Sequence, residues 1–365
     1  MKRVAYIDLA KGIGMVLVLC GHLQNDTIFA LSPHIQGFCK WIFSFHMPMF
    51  FIISGMLFAA KGEIPPMKDF FKKRFSTIMV PYYLFTVIYF LIILYGVFIS
   101  HSMNITDMFV QLWYAVSLYG INVLWFLPAL FIAEMIFALI MKKFDGKKRW
   151  IAVLIMTMAA LGVNEIRGYI PENPAVYVRL NEIIVMLLRP VIACSFISIG
   201  YLFEMTGGRF CCHLFSKKLS AEPSPCHLLT AVIFFAVNIA VVRFNSPTDL
   251  RSLVLNNYLL YYIGAVAGSG FIILMCRMVM SLSKSGKAFP VTRFWGRNSL
   301  LFMAVHNNPA VWIASLYAAM FVNKFVTRAR GYVSYVVIVV CFLIYVSVMI
   351  LLINRFLSVL AHQKN

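Results

Sequence analysis

The stretch Asp8-Leu9-Ala10-Lys11-Gly12-Ile13-Gly14-Met15-Val16-Leu17-Val18-Leu19-Cys20-Gly21-His22 decides how the rest of the chain is read. Most of it is apolar enough for lipid, yet it holds an acid, a base and an imidazole. A helix advances about 100° per residue, so eleven residues make about three turns and return to nearly the same face. Lys11 and His22 therefore share a face, about 16 Å apart along the axis at 1.5 Å per residue. Asp8, Lys11, Met15, Val18 and His22 form one stripe at spacings of 3, 4, 3 and 4. A polar stripe on a membrane helix turns toward protein or a wet cavity, because lipid cannot solvate it.

The whole chain repeats this pattern. Of its 365 residues, 62% are hydrophobic and 12% charged, and the mean hydropathy is +0.85. A soluble domain carries about 25% charged residues. The expected fold is an all-α bundle of about ten transmembrane helices forming one integral-membrane domain over residues 1–365. The spans fall at 7–28, 39–60, 77–100, 122–141, 150–164, 183–204, 228–244, 257–280, 299–322 and 332–356, each near the ~20 residues a bilayer needs.

A net charge of +19 would suit nucleic acid, but the bases are placed otherwise. With the N-terminus in the cytoplasm, 21 of the 32 Lys and Arg fall in inner connections and 8 in outer ones. Lys11, Arg189 and Arg277 lie within spans. This is the positive-inside pattern, with both termini cytoplasmic, and no nucleic-acid partner is implied. The Lys324–Arg330 turn runs against it. Lys2-Arg3 before an apolar run resembles a secretory signal, but no small-residue cleavage pattern follows, so the run reads as a retained first span. The eight cysteines contain no CxxC pair and read as small buried hydrophobes. Met103–Leu118 is less apolar and reads as an outer helix on the membrane surface. Gly264 and Gly268 have the small-xxx-small spacing of close helix packing.

Ionisable residues inside spans are the functional candidates. They are Asp8, Lys11, His22, His46, Glu134, Arg189, Glu204, Arg277 and His306. Snorkelling to the interface accounts equally well for Asp8, Glu204 and Arg277. His22 and His46 lie on consecutive antiparallel spans, which brings them to similar depth, as a proton-transfer site requires. No HxxxH or HxxE spacing supports a metal, and none is assigned. Lys11 and Arg189 can pair with Asp8 or Glu134, or hold an anion entering from the cytoplasm. Arg74 follows Lys72-Lys73 at the inner end of the third span and is the best placed of the three for a phosphate. Trp125 and Phe126 either line a channel or stack on a sugar, or belong to an interfacial aromatic belt. A proton-coupled transporter or glycan flippase would use the same inventory.

Six stretches resemble the membrane acyltransferase type 3 family, in particular its fucose 4-O-acetylase-like branch. They are YIDLAKGIGMVLVLCGH (6–22), FHMPMFFIISGMLF (45–58), KKRFSTIMVPYYLF (72–85), LWFLPALF (124–131), GYLFE (200–204) and NSLLFMAVH (298–306). The resemblance implies ten spans in a bacterial inner membrane. It also implies transfer of an acyl group, usually acetyl, from a coenzyme A thioester to a hydroxyl of a cell-surface or lipid-linked carbohydrate. Acetyl-CoA is then a co-substrate, with no tightly bound cofactor. Lys11 stands where much of the family has arginine, and a lysine gives no bidentate clamp. On this reading His22 is the general base and His46 orients it or binds the oxyanion. Lys11, Arg74 and Arg189 hold the donor, and Asp8, Trp125, Glu134, Asn298 and His306 lie on the acceptor side.

Overall fold

The computed structural model describes residues 4–22, 33–171, 175–205, 225–283, 288–307, 317, 320–321 and 332–362. Fourteen α-helices follow in order among these residues: α1 Ala5–His22, α2 Pro33–Phe43, α3 His46–Lys61, α4 Met67–Arg74, α5 Val80–Phe98, α6 Ile105–Val116, α7 Phe126–Lys143, α8 Lys147–Arg167, α9 Ala175–Met205, α10 Pro225–Asn245, α11 Tyr258–Leu282, α12 Pro290–Arg297, α13 Ser299–His306 and α14 Tyr332–His362. The all-α membrane architecture expected from composition is thus the one observed. Nine stretches of the described residues are long and apolar enough to cross a bilayer. Of the expected span 299–322, the helix Ser299–His306 is described and most of the remainder lies outside the described residues. Residues 23–28 of the first expected span also lie outside them.

Two spans are broken helices, and each break has a chemical cause. Pro33–Lys61 is one apolar stretch interrupted at Ser44-Phe45, between α2 and α3. The polar groups at the break are satisfied sideways. Ser44 donates to the Trp41 carbonyl at 2.7 Å, and Asn238 of α10 donates to Ser44 Oγ at 3.0 Å and to the Gly264 carbonyl at 2.8 Å. Between α4 and α5 a single π-helical turn, Phe75–Met79, precedes Pro81. Proline has no N–H for the carbonyl four residues back and its ring collides with that carbonyl, so the turn widens there. The expected start of this span at residue 77 falls inside the continuous stretch Met67–Phe98.

Backbones meet where glycines remove the side chain. A Cβ on Gly55 of α3 would stand 1.9 Å from the Ile197 carbonyl of α9, and one on Gly200 of α9 would stand 1.9 Å from the Ile52 carbonyl of α3. This reciprocal contact clamps the two helices. At the second such crossing Gly12 of α1 faces the Thr292 carbonyl and Gly296 of α12 faces the Asp8 carbonyl, so α12 runs antiparallel to the first turns of α1. The Gly264/Gly268 pair acts in packing as its spacing suggests: Gly264 faces Val241 of α10 and Gly268 faces Phe45.

The less apolar segment near residue 103 forms α6. Its N-terminus is closed by Asp107, which accepts from the Asn104 backbone N–H at 3.3 Å. Trp113 and Tyr114 donate to the two oxygens of Glu182 in α9, at 3.0 and 2.9 Å, which fixes α6 to the bundle. Among the described residues Cys20, Cys39, Cys194 and Cys276 are buried free thiols, as expected of small hydrophobes, while Cys341 is half-buried; Cys211 and Cys212 lie outside the described residues.

The glycine clamp is directly testable. Gly200→Ala pushes a methyl group into a backbone carbonyl that cannot yield, and overpacking of this kind costs about 1–3 kcal/mol. Gly162 of α8 has open space around the same position, and Ala there is favoured by helix propensity. Thermal unfolding in detergent is expected to show a lowered midpoint for Gly200→Ala and an unchanged or raised one for Gly162→Ala.

Candidate functional site

A cavity of about 260 Å³ runs inside the bundle. One wall is the stripe of α1: Lys11, Met15, Val18 and His22 all line it. Both flanks of the same helix are packed away, with Ala10 and Leu19 fully buried. Asp8, the fifth member of the stripe, does not line the cavity; it lies where α1 crosses α12. A second wall comes from α3, through Met47, Phe50, Ser54, Leu57 and Lys61. Arg74, Thr77 and Ile78 enter from the end of α4 and the π turn, Trp125 from the 3-10 turn before α7, and Phe126, Leu130 and Glu134 from the first half of α7. Ser299, Leu300 and Met303 of α13 close the circle.

The charges lie at one end. Arg74 Nε stands 2.9 Å from Glu134 Oε2, and Ser54 Oγ donates to Glu134 Oε1 at 2.6 Å. The Glu134 side chain is only 3% exposed, so an unpaired charge there would be costly. Arg74 is held from two further directions, its guanidinium carbon lying 5.4 Å from the Phe58 ring centre and 5.6 Å from that of Phe70. Lys11 and Lys61 line the same end, Lys61 being exposed at the mouth. Three cations thus face one carboxylate whose oxygens are both engaged. The preceding Lys72 and Lys73 are exposed and do not line the cavity.

The imidazoles lie at the other end. His22 reaches the cavity from the last turn of α1. Its ring partner is His306, with centroids 5.4 Å apart and planes tilted by 42°. His46 is the first residue of α3, just past the break; it is buried and does not line the cavity. Its Nδ1 donates to the Ile42 carbonyl at 2.9 Å and its ring sits edge-on to Phe43, at 5.1 Å. His46 and Arg251 are within electrostatic reach of His22.

Arg189 does not join the other cations. It donates to the Tyr119 carbonyl at 3.0 Å and to the Arg251 carbonyl, and its guanidinium lies over the rings of Tyr119 and Trp125 at 4.3 and 5.1 Å. It is buried beside Trp125 on the His22 side of the bundle and does not line the cavity. Trp125 does line it, with Arg189 against its ring. Asn298 sits at the junction of α12 and α13. It donates to the Phe294 carbonyl at 2.9 Å and accepts from Asn354 of α14 at 3.1 Å, so it holds a helix junction outside the cavity.

Four polar cavity residues, Ser54, Lys61, Thr77 and Ser299, escape the sequence reading. Lys61 follows an apolar run and counts there only as one more inner-loop base. Ser54 is one hydroxyl in an apolar helix, but its place about two turns into α3, on the face of Phe50 and Leu57, is a spacing that could have marked it.

A search of curated proteins and a search of solved structures each find no match. A family model described as an acyltransferase domain matches residues 4–353, nearly the whole chain, including all five walls of the cavity. The protein is therefore a membrane acyltransferase of the acyltransferase 3 family.

Proposed function

We propose that the protein transfers an acyl group, acetyl by resemblance, from an acyl-CoA thioester to a hydroxyl of a cell-surface or lipid-linked carbohydrate, with His22 as general base. The observation that carries this reading is the polarity of the cavity: cations at one end, an imidazole at the other, on the same face of one helix. Lys11 and His22 are about 16 Å apart along α1, a distance that suits a donor with an anionic head and a reactive group at the end of a long, thin arm. The positive-inside bias puts the cationic end toward the cytoplasm, where acyl-CoA is found.

The chemistry follows from what each end offers. A coenzyme A head brings several phosphate charges, and Lys11, Lys61 and Arg74 would hold them. Arg74 is the most specific of these, because Glu134 takes its Nε side and its two terminal amino groups remain for a ligand. At the far end the acceptor hydroxyl, whose pKa is far above neutral, needs a base within hydrogen-bond reach as it attacks the thioester carbonyl. The His22 imidazole takes that proton, the carbon–oxygen bond forms, and the tetrahedral intermediate expels the coenzyme A thiolate. His22 then returns the proton to the thiolate, so the residue ends as it began. The buried ring of Trp125 offers a sugar a flat apolar face beside the reacting end. Transient acylation of His22 itself is an equivalent route for the same residues.

Two sets of substitutions test the ends separately. His22→Ala is expected to lower acyl transfer by about 10²–10⁴-fold, the range for loss of a general base, while coenzyme A still stabilises the purified protein thermally. Mass spectrometry of alkali-labile esters on surface glycans, in cells with intact protein, the His22→Ala variant or none, reads this out and identifies the acceptor. Equal ester content in all three, with glycan changed in amount or location, would replace the enzyme by a glycan transporter. At the other end Arg74→Ala is expected to weaken coenzyme A binding about ten- to a hundredfold, from the ~1.5–3 kcal/mol of a charge-assisted contact, and Lys61→Ala less because that ammonium is exposed. Titration calorimetry in detergent checks it; unchanged affinity in both variants would remove the phosphates from this end of the cavity.

A further inference from the structure

His306 ends α13 with its side chain fully buried. Its Nδ1 stands 3.1 Å from the Phe302 carbonyl and 2.7 Å from the Met303 carbonyl. Carbonyl oxygens only accept, so Nδ1 carries the hydrogen, and in the neutral ring Nε2 carries the lone pair. That Nε2 is buried and has no hydrogen-bond partner among the described residues. An acceptor left in this state costs about 1–3 kcal/mol, and such orphans are rare enough to require a reason.

The reason lies beside it. The His22 ring is 5.4 Å away, centre to centre, nearer than the Phe302 ring at 6.0 Å. Two imidazoles joined edge to edge by an N–H···N bond have centres about 5 Å apart, given an N···N distance of about 3 Å and about 1 Å from each centre to its nitrogen. The observed separation of 5.4 Å is close to that of such a pair. His46, the other imidazole near His22, is not equivalent. Like His306 it gives Nδ1 to a backbone carbonyl and lies off the cavity wall, but its ring packs edge-on against Phe43, whereas that of His306 packs against His22.

We infer that His306 is the positioning residue of His22: its Nε2 accepts the N–H of one His22 ring nitrogen and so leaves the lone pair of the other nitrogen facing the cavity. The consequence for the reaction rests on the acyl-transfer reading above; the pairing itself does not. With its tautomer fixed, His22 meets the acceptor hydroxyl as a base in every enzyme molecule. On taking the proton it becomes an imidazolium with two N–H groups, one toward the reacting oxygen and one toward His306. No bond to His306 is made or broken, and the proton returns to the departing thiolate from His22. His306 is held in its own tautomer by two backbone carbonyls, which is what lets it fix that of a neighbour.

The test uses the full chain in lipid nanodiscs, with ¹⁵N-histidine and the variants His306→Gln, His306→Phe and His306→Ala. The ¹⁵N shifts of His22, assigned by their loss in His22→Gln, read its tautomer with no substrate present. A single tautomer is expected in the wild type and in His306→Gln, whose amide oxygen can accept the same N–H, and a mixture in His306→Phe and His306→Ala. In parallel, thiol release from acetyl-CoA in the presence of glycan-bearing membranes is followed. His306→Phe and His306→Ala are expected to lose about ten- to a hundredfold in kcat, the range for loss of a group that orients a histidine, with KM for acetyl-CoA changed less than about twofold. His306→Gln is expected to recover most of it. A mixed His22 tautomer in the wild type overturns the proposal without any variant, and so does a single tautomer that persists in His306→Phe. Equal kinetic losses in the Gln and Phe variants, or a change in KM alone, also overturn it. If the wild type releases no thiol, the acyl-transfer reading falls and the spectra still decide the pairing.

Discussion

The contact between Arg74 and Glu134 is the constraint from which the rest of the cavity follows. A carboxylate 3% exposed among apolar helices must be paired, and removing one partner of such a pair costs about 3–5 kcal/mol. Pairing brings the end of α4 against α7, and Ser54 brings α3 to the same carboxylate. Three separate segments are thereby drawn to one point, and Lys11 and Lys61 arrive there on α1 and the end of α3. Among the described residues that line the cavity, three are cationic and one is anionic, all at this end. That excess among the lining side chains makes this end of it attractive to anions whatever their identity.

The broken helices serve this arrangement. A regular helix through residues 67–98 would carry Arg74 and Thr77 around on a fixed 100° step. The π turn before Pro81 lies between α4 and α5, and Arg74, Thr77 and Ile78 all reach the cavity there, while α5 beyond it turns one face outward, with Leu84, Val87, Leu91 and Tyr95 exposed, and packs the other, with Phe85, Tyr89 and Ile93 buried. The break at Ser44-Phe45 does similar service for α3. It lets α2 pack beside α1 and α10 while α3 turns to α9 and presents Phe50, Ser54, Leu57 and Lys61, at close to one-turn spacing, to the cavity.

Much of this was legible in the sequence because it depends on period. The 3-4-3-4 stripe of α1 needs no tertiary information, and four of its five members line the cavity. Asp8 fails the pattern for a local reason: Gly296 brings the α12 backbone against its carbonyl, and protein takes the place of the cavity. Pairing across helices is another matter. Arg74, Glu134, His22 and His306 each stand out as buried ionisable residues, but nothing in their spacing says that Arg74 meets Glu134 or that His306, not His46, meets His22. Arg189 shows the same limit, since its two carbonyl partners lie in loops on either side of α9 in the sequence and no periodicity connects them. Lys61 was hidden by the positive-inside rule itself, which accounts for any base in an inner connection and so cannot single out the one that turns inward.

The register of the two imidazoles is set far from them. Gly12 and Gly296 let α1 and α12 touch backbone to backbone at the cationic end, with no side chain between to act as a spring. From that contact α12 runs antiparallel to α1, the chain reverses at Asn298, and α13 returns along the cavity to His306. Asn298 ties the reversal to Phe294 and to Asn354 of α14, so neither arm can shift alone. α13 then brings its last residue, His306, against the His22 ring at the end of α1. A site built in this way keeps its geometry through the stiffness of its scaffold, and it needs no direct bond between the rings to bring them together.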